Sequence, residues 1–251
     1  MLLLQHITKV FNTGKATEVV AVQDLTLELQ PRSFTVLVGA NGSGKSTLLN
    51  LIAGSAYPDK GRVLLHGREI QRLPDYRRSR WIGRVFQNPL LGTAASLSIL
   101  DNFRMAALRR STKWIRLGTG GAFRKQVAEK VATLGMGLEN KLTQPMGTLS
   151  GGQRQALTLL MTVMADVDIL LLDEPSAALD PRSAKEVMEI ANRLIAEDRL
   201  TALLVTHNIN EALRYGTRLI QMENGKIVRD YDEMAKTTLE HAAVVSWFDY
   251  Y

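Results

Sequence analysis

The chain has 251 residues, 45% of them hydrophobic and 22% charged. That is apolar material for one sizeable lobed core, and the charge fraction is too ordinary for wholesale disorder. The absence of cysteine excludes a disulfide framework and a thiolate metal site, while a net charge of +6 suits nucleic acid, anionic lipid or an anionic nucleotide without choosing among them.

In chain order, the opening apolar run of three leucines is too short for an export signal, and no later stretch approaches the roughly 18 apolar residues of a membrane span. Segments 2–8, 19–29 and 34–38 are rich in β-formers and broken by Asn-Thr-Gly and Gln-Pro-Arg, so they read as strands, the third of them buried. A glycine loop follows, then Leu48, Leu49, Leu51 and Ile52 at helical spacing, stopped by Gly54. A strand pair is expected over 62–70, turning at His66-Gly67, and another strand over 81–86, ending at Gln87. Residues 97–137 carry helical periodicity interrupted by the glycines of 117–123, which predict a loop or hinge. Beyond Gly151-Gly152 come a helix over 153–164, a strand over 169–173, a helix over 181–197 and a strand over 201–206, an alternation that implies parallel strands joined by right-handed crossovers. The tail predicts one short helix near 238–247, docked by its aromatic residues, and no internal repeat is present.

Three segments carry chemistry. Residues 39–46 fit the pattern GxxxxGK(S/T) between a buried strand and a helix. In that loop Gly39, Ala40, Asn41, Gly42, Ser43 and Gly44 turn backbone amides toward one anion, Lys45 meets the β and γ phosphates, Ser46 ligates magnesium and Thr47 adds a phosphate hydrogen bond. A plain glycine turn before a core helix is the rival reading, and the Lys-Ser-Thr run disfavours it. The apolar run 169–172 delivers Asp173 and Glu174 to a strand end: Asp173 for the magnesium shell, Glu174 as general base toward water. An acidic helix cap is the alternative there, weakened by the upstream phosphate loop. Residues 149–153 read Leu-Ser-Gly-Gly-Gln before another helix, so Ser150 with the Gly151 and Gly152 amides forms a second anion site, suited to the γ-phosphate held by another copy.

The LSGGQ core resembles the ABC ATPase signature at every position, and the order of motifs along the chain resembles that family from about residue 7 to about residue 228. The resemblance implies an α/β fold: a RecA-like P-loop NTPase with a parallel-sheet core, an antiparallel β sub-domain and an α-helical signature sub-domain. Within one domain spanning 1–251, it implies a β lobe about 1–35 and 60–72, a core about 36–90 and 153–228, a helical lobe about 91–152 and a tail 229–251. It further implies that Gln87 senses magnesium and γ-phosphate, that His207 contacts γ-phosphate, and that Asp180, with Ser150, Gly151, Gly152 and Gln153, serves the opposite site of a dimer. Phe11 stands where the family usually has an adenine-stacking Tyr; simple core packing is the alternative. The arginine cluster 77–80 and the basic residues from Arg109-Arg110 to Lys125 read as solvated faces.

More narrowly, IGRVFQNPLLGTAASLSILDN and LLVTHNINEALRYGTRLIQMENGKI resemble a bacterial importer group, although relatives of that group often show His-Thr in place of Pro175-Ser176. Membership implies ATP and magnesium as ligands, a second copy, integral-membrane permease subunits and, indirectly, a solute-binding protein as partners. It also implies a peripheral location on the cytoplasmic face of the inner membrane and no nucleic acid, with amino acids as the candidate solute. Three rivals stay open: an exporter or lipoprotein-extracting ATPase, a soluble relative acting on nucleic acid or the ribosome, and a binding module without hydrolysis, against which Lys45, Asp173, Glu174 and His207 all argue.

Overall fold

The computed structural model describes residues 1–108 and 120–247. Strands β1 (Leu2–Phe11) and β2 (Val19–Leu29) form a hairpin, and β3 (Phe34–Val38) leads into helix α1 (Lys45–Ala53). Next come β4 (Lys60–Leu65), β5 (Arg68–Glu69), the short helix α2 (Asp75–Arg78) and β6 (Ile82–Val85). Helices α3 (Ile99–Ala107), α4 (Gly121–Ala132) and α5 (Gly151–Met164) precede β7 (Ile169–Asp173), α6 (Pro181–Glu197), β8 (Thr201–Val205) and α7 (Ile209–Arg214). The chain closes with the hairpin β9 (Arg218–Glu223) and β10 (Lys226–Tyr231), then α8 (Glu233–Thr237) and α9 (His241–Val245).

Among the described residues the strands make two sheets. One has the order β2-β1-β4-β5 and is antiparallel. The other runs β10-β9-β3-β8-β7-β6, parallel from β9 to β6. Each parallel strand alternates its side chains between two cores, as a pleated strand with both faces covered must. Leu37, Ile169, Leu171, Leu203 and Val205 point toward α1 and the antiparallel sheet. Val36, Val38, Leu170, Leu172 and Leu204 point to the opposite face, against α5 and α6. Burial on both faces explains why these strands read as continuous apolar runs.

The expected elements are present with shifts that have local causes. Helix α5 starts two residues before the expected 153, because Ser150 caps it and glycine is tolerated in a first turn that has no i−4 bond to lose. Similarly, the glycine run expected as a loop over 117–123 is only partly one: Gly120 is the N-cap of α4, so Gly121, Ala122 and Phe123 are helical, while 117–119 lie outside the described residues. The short helix expected near 238–247 is present as α9, and the tail carries a second short helix just before it, α8, that was not expected. Its aromatics do dock it, with the rings of Tyr231 and Trp247 stacked at 5.5 Å between centroids.

One expectation is overturned. Of the arginines at 77–80, Arg78 is fully buried rather than solvated. Its guanidinium donates to the carbonyls of Leu51 (2.6 Å) and Ile52 (2.9 Å), closing the C-terminal end of α1, and to those of Gln71 (2.9 Å) and Leu73 (2.8 Å). Five donors in a planar fork match four orphan carbonyls, which a solvated reading of a basic cluster cannot anticipate. Burial pushes Arg78 down to about 10. Arg109 and Arg110 of the second cluster lie outside the described residues.

Two predictions follow from these buried cations. Arg78→Met orphans four carbonyls, so the urea midpoint is expected to fall by the equivalent of about 3 kcal/mol with little change in slope; a shift under a third of that would mean water replaces the guanidinium. Lys236 donates to the carbonyls of Tyr215 and Gly216 (2.8 Å to the latter), and burial pushes it down to about 8 from 10.5. Between those values the unfolded chain binds more protons than the folded one, so this group makes stability rise with pH. Lys236→Met should therefore lose ground to the parent protein in thermal melts as pH is raised from 8 toward 10.5.

Candidate functional site

Four neighbouring parallel strands end at one edge of the large sheet, and each expected cis residue follows one of them. The loop 39–46 follows β3, His207 follows β8, Asp173 and Glu174 end β7, and Gln87 follows β6. Register aligns them: Leu37 and Asp173 both pair with Val205, and Val85 pairs with Leu172. The carboxyl edge of a parallel sheet is where open α/β folds take ligands.

The loop itself is held by close backbone approach. Gly44, the N-cap of α1, sits at φ 103°, and a Cβ there would stand 2.2 Å from the Ala21 carbonyl oxygen, so no other residue fits. Lys45 is only 6% exposed. Its ammonium donates to the carbonyls of Gly39 and Ala40, both at 2.8 Å. Burial pulls its pKa down, and the nearby carboxylates of Glu174 and Asp173 oppose that fall. Ser46 is exposed, and among the described residues the hydroxyls of Ser46 and Thr47 and the amide of Gln87 make no hydrogen bond to protein. Free amides at the first turn of α1, a buried cation and open hydroxyls form a cradle that fits a polyphosphate. The hard oxygen donors Ser46 and Asp173 also fit magnesium, which takes few protein ligands beside phosphate oxygens.

Glu174 occupies a left-handed backbone conformation, φ 46°, with its amide donating to the Val205 carbonyl at 3.0 Å. A non-glycine residue held there is strained, and such strain collects at functional sites. The turn brings the Glu174 carboxylate to 3.0 Å from His207 Nδ1, joining the expected base to the expected switch histidine.

The remaining expected residues stand apart from this cluster. Ser150 caps α5 in a capping box with Gln153, each bond 3.2 Å. A Cβ on Gly152 would lie 2.8 Å from Ser183 Cβ, so this glycine also lets α5 pack on α6. Asp180 caps α6, accepting from the amides of Arg182 and Ser183, and its hydrogen bonds to Ser183 hold its carboxyl below the usual range. Phe11 is 41% exposed at the end of β1, outside both apolar cores, with the Lys9 ammonium 5.3 Å from its ring.

With this geometry established, residues 22–177 match the ABC transporter family. The chain belongs to that family. It is an ATP-binding cassette, of the ATPases that drive transport. Over its full length it is 34% identical to a tyrosine transport ATP-binding protein of Clostridioides difficile, covering 99% of that protein. It is 40% identical over 84% of its length to the phosphonates import ATP-binding protein PhnC of Stutzerimonas stutzeri, covering 78% of it. Among solved structures it resembles the dimeric post-hydrolysis state of the cassette MJ0796 bound to ADP and Pi, with TM-score 0.77 and 29% identity over 93% of this chain and 99% of that one.

Several residues of the cassette that matter to the site escaped the sequence reading. Gln155, fully buried in α5, donates to the carbonyls of Phe86 (2.8 Å) and Pro175 (3.1 Å), clamping the segments that carry Gln87 and Glu174. Glu211 of α7, also buried, accepts from the hydroxyls of Ser176 (2.6 Å) and Thr206 (2.7 Å). One carboxylate thus ties the segment after Glu174 to the residue before His207. Arg84 of β6 pairs with Asp173 at 2.6 Å. A polar residue inside an apolar periodic stretch was the available signal for Gln155; for Arg84, and for the Ser176 partner of Glu211, the partners are too distant in sequence for any local pattern. Replacing Glu211 by Ala should cost about 2 kcal/mol in urea denaturation, since two buried hydroxyls lose a charged acceptor; an unmoved midpoint would show that they re-pair without it.

Proposed function

We propose that this cassette is the ATP-hydrolysing subunit of a solute importer, working as a pair of copies that sandwich two nucleotides. The observation that carries the hydrolytic reading is the Glu174–His207 contact at 3.0 Å beside the buried Lys45, which sets a base, its partner and a phosphate-binding cation at one sheet edge. In this reading Gly39 to Thr47 cradle the triphosphate, and Lys45 leaves its two carbonyl partners to meet the β and γ phosphates. Phe11 offers its exposed face to adenine. Ser46, Asp173 and Gln87 would hold a magnesium ion, which would supply charge neutralisation for the phosphates. Glu174 orients and deprotonates the attacking water, and His207 steadies the γ-phosphate.

The second copy completes each site. Ser150, Gly151, Gly152 and Gln153 sit at the positive end of α5, so head-to-tail pairing gives each triphosphate a second set of donors, while Asp180, at the start of α6, faces the opposite subunit as an acceptor. Closure on ATP then pulls on permease subunits, and hydrolysis releases them. No described helix is long and apolar enough to cross a membrane, so the spanning subunits in this reading are separate chains and the cassette is peripheral to them, on the cytoplasmic face. The importer direction is supported by the name of one relative, a phosphonates import ATP-binding protein, and a transport role by that of the other, in tyrosine transport; a solute-binding protein is a further partner in this reading. These names point to different solutes, and the solute is selected by other chains.

Two substitutions test the assignment. Glu174→Gln keeps shape and removes basicity, so the variant is expected to bind ATP, hydrolyse it at least about 100-fold more slowly, and elute as a dimer with ATP and magnesium in size-exclusion chromatography with light scattering. Retained turnover would rule out Glu174 as the base. Lys45→Ala removes the charge facing the phosphates and should weaken ATP binding at least about tenfold in calorimetry; unchanged affinity would dismiss the cradle.

A further inference from the structure

Arg84 has no part in the mechanism above, yet it holds the acid to which that mechanism gives the metal. Its side chain is 13% exposed and that of Asp173 16%. One guanidinium nitrogen donates to Asp173 Oδ2 at 2.6 Å and another to Asn50 Oδ1, on α1, at 2.7 Å. The guanidinium carbon lies 4.8 Å from the centroid of the Phe86 ring, next to Gln87, and the buried Nε has no partner. Three segments therefore converge on this one cation: the helix that opens at the phosphate loop, the strand that ends in the acids, and the strand that leads to Gln87.

An arginine is charged at every relevant pH, so this is a permanent positive charge in contact with Asp173. It does two opposed things to a divalent cation arriving there. The hydrogen bond fixes the carboxylate in one orientation, which favours coordination. The charge repels the ion and already neutralises the carboxylate, which disfavours it. Because repulsion scales with the product of charges, it acts doubly on a divalent ion, and in a partly buried site it is weakly screened. Repulsion is the larger effect, and orientation is retained in part by the strand itself.

We infer that Arg84 is a positioning residue standing in for the metal: it holds and neutralises Asp173 while the site lacks magnesium, and thereby limits how strongly magnesium tightens nucleotide binding. The inference rests on the reading of Asp173 as a metal-holding acid. Cells keep ATP largely complexed with magnesium, so the consequence is a cassette that releases its nucleotide products more readily than one in which the aspartate is unopposed.

The measurable quantity is the magnesium enhancement of affinity, the Kd of a non-hydrolysable ATP analogue in EDTA divided by its Kd in excess Mg2+, from calorimetry on the full chain. Arg84→Met and Arg84→Gln, one leaving an apolar end and the other a shorter neutral amide, are each expected to raise that ratio about three- to tenfold. Arg84→Lys, which keeps the charge, should stay near the parent value. Thermal melts give an independent readout: the Tm deficit of Arg84→Gln should be largest in EDTA and shrink with the magnesium-loaded analogue. A purely structural Arg84 would give an unchanged ratio in both neutral variants and the same Tm deficit in either condition, and that result overturns the inference. Asp173→Asn separates the two levels. If it abolishes the enhancement while the Arg84 variants leave the ratio unmoved, only the role of Arg84 falls; if the enhancement survives in Asp173→Asn, the metal assignment of Asp173 falls and the inference with it.

Discussion

Burying a lysine at the mouth of a parallel sheet is costly unless its charge is answered, and the way Lys45 is answered organises the site around it. Two loop carbonyls accept from its ammonium, and Asp173 and Glu174 lie near enough to oppose the effect of burial on its ionisation. Those acids are answered in turn, Asp173 by Arg84 and Glu174 by His207. The result is a chain of polar contacts across the strand ends in which each of these side chains has a partner. A triphosphate entering the cradle brings several negative charges to Lys45 and so disturbs each contact behind it.

The sheet supplies the precision. Because Leu37 and Asp173 both pair with Val205, a slip of one residue between β8 and either neighbour would send each side chain to the opposite core and separate the loop from the acids. Two apolar cores, one on each face, make such a slip expensive, so packing far from the ligand sets the distances at the mouth. The same logic reaches the hairpin tip at Asn224 and Gly225, whose glycine amide donates to the Ser43 carbonyl at 3.0 Å and whose carbonyl accepts from the Gln23 amide at 2.9 Å. Left-handed backbone at both tip residues suits a tight two-residue turn. The antiparallel sheet, the phosphate loop and the last hairpin are thereby braced to one another through main-chain bonds.

What could be read from the chain alone is what depends on neighbours in sequence. The loop around Lys45, the acids ending an apolar strand and the Ser150 cap are local devices, each built within a few residues, and the alternation of strands and helices follows from periodicity. What escaped depends on partners far along the chain. Arg84 and Asp173 are 89 residues apart, Ser176 and Glu211 are 35 apart, and Gln155 reaches Phe86 across 69. Arg78 shows the same limit from the other side: composition placed it in a basic surface cluster, while the carbonyls at the end of α1, 26 and 27 residues earlier, required a buried donor. In the tail, α8 escaped because it is five residues long and buries a single side chain, Lys236, so it leaves no apolar periodicity to read.

The signature segment raises a question of double use that hydrogen-bond capacity answers. Ser150 Oγ accepts from the Gln153 amide, and a helix cap that spent its hydroxyl entirely on its own helix would have nothing left for a phosphate held by another copy. A hydroxyl, however, carries one donor and two acceptor lone pairs. Capping uses an acceptor, while a phosphate oxygen asks for the donor, and the O–H of Ser150 meets no acceptor among the described residues. Gly152 divides its work in the same manner, with the absent Cβ admitting Ser183 of α6 and the amide belonging to the open first turn of α5. Asp180 differs, since its carboxylate is already engaged within its own chain, Oδ1 taking the two amides of α6. At Ser150 and Gly152, then, capping and packing leave the hydroxyl proton and the backbone amide unspent, so the proposed contact with a second copy's phosphate does not compete with the structural one.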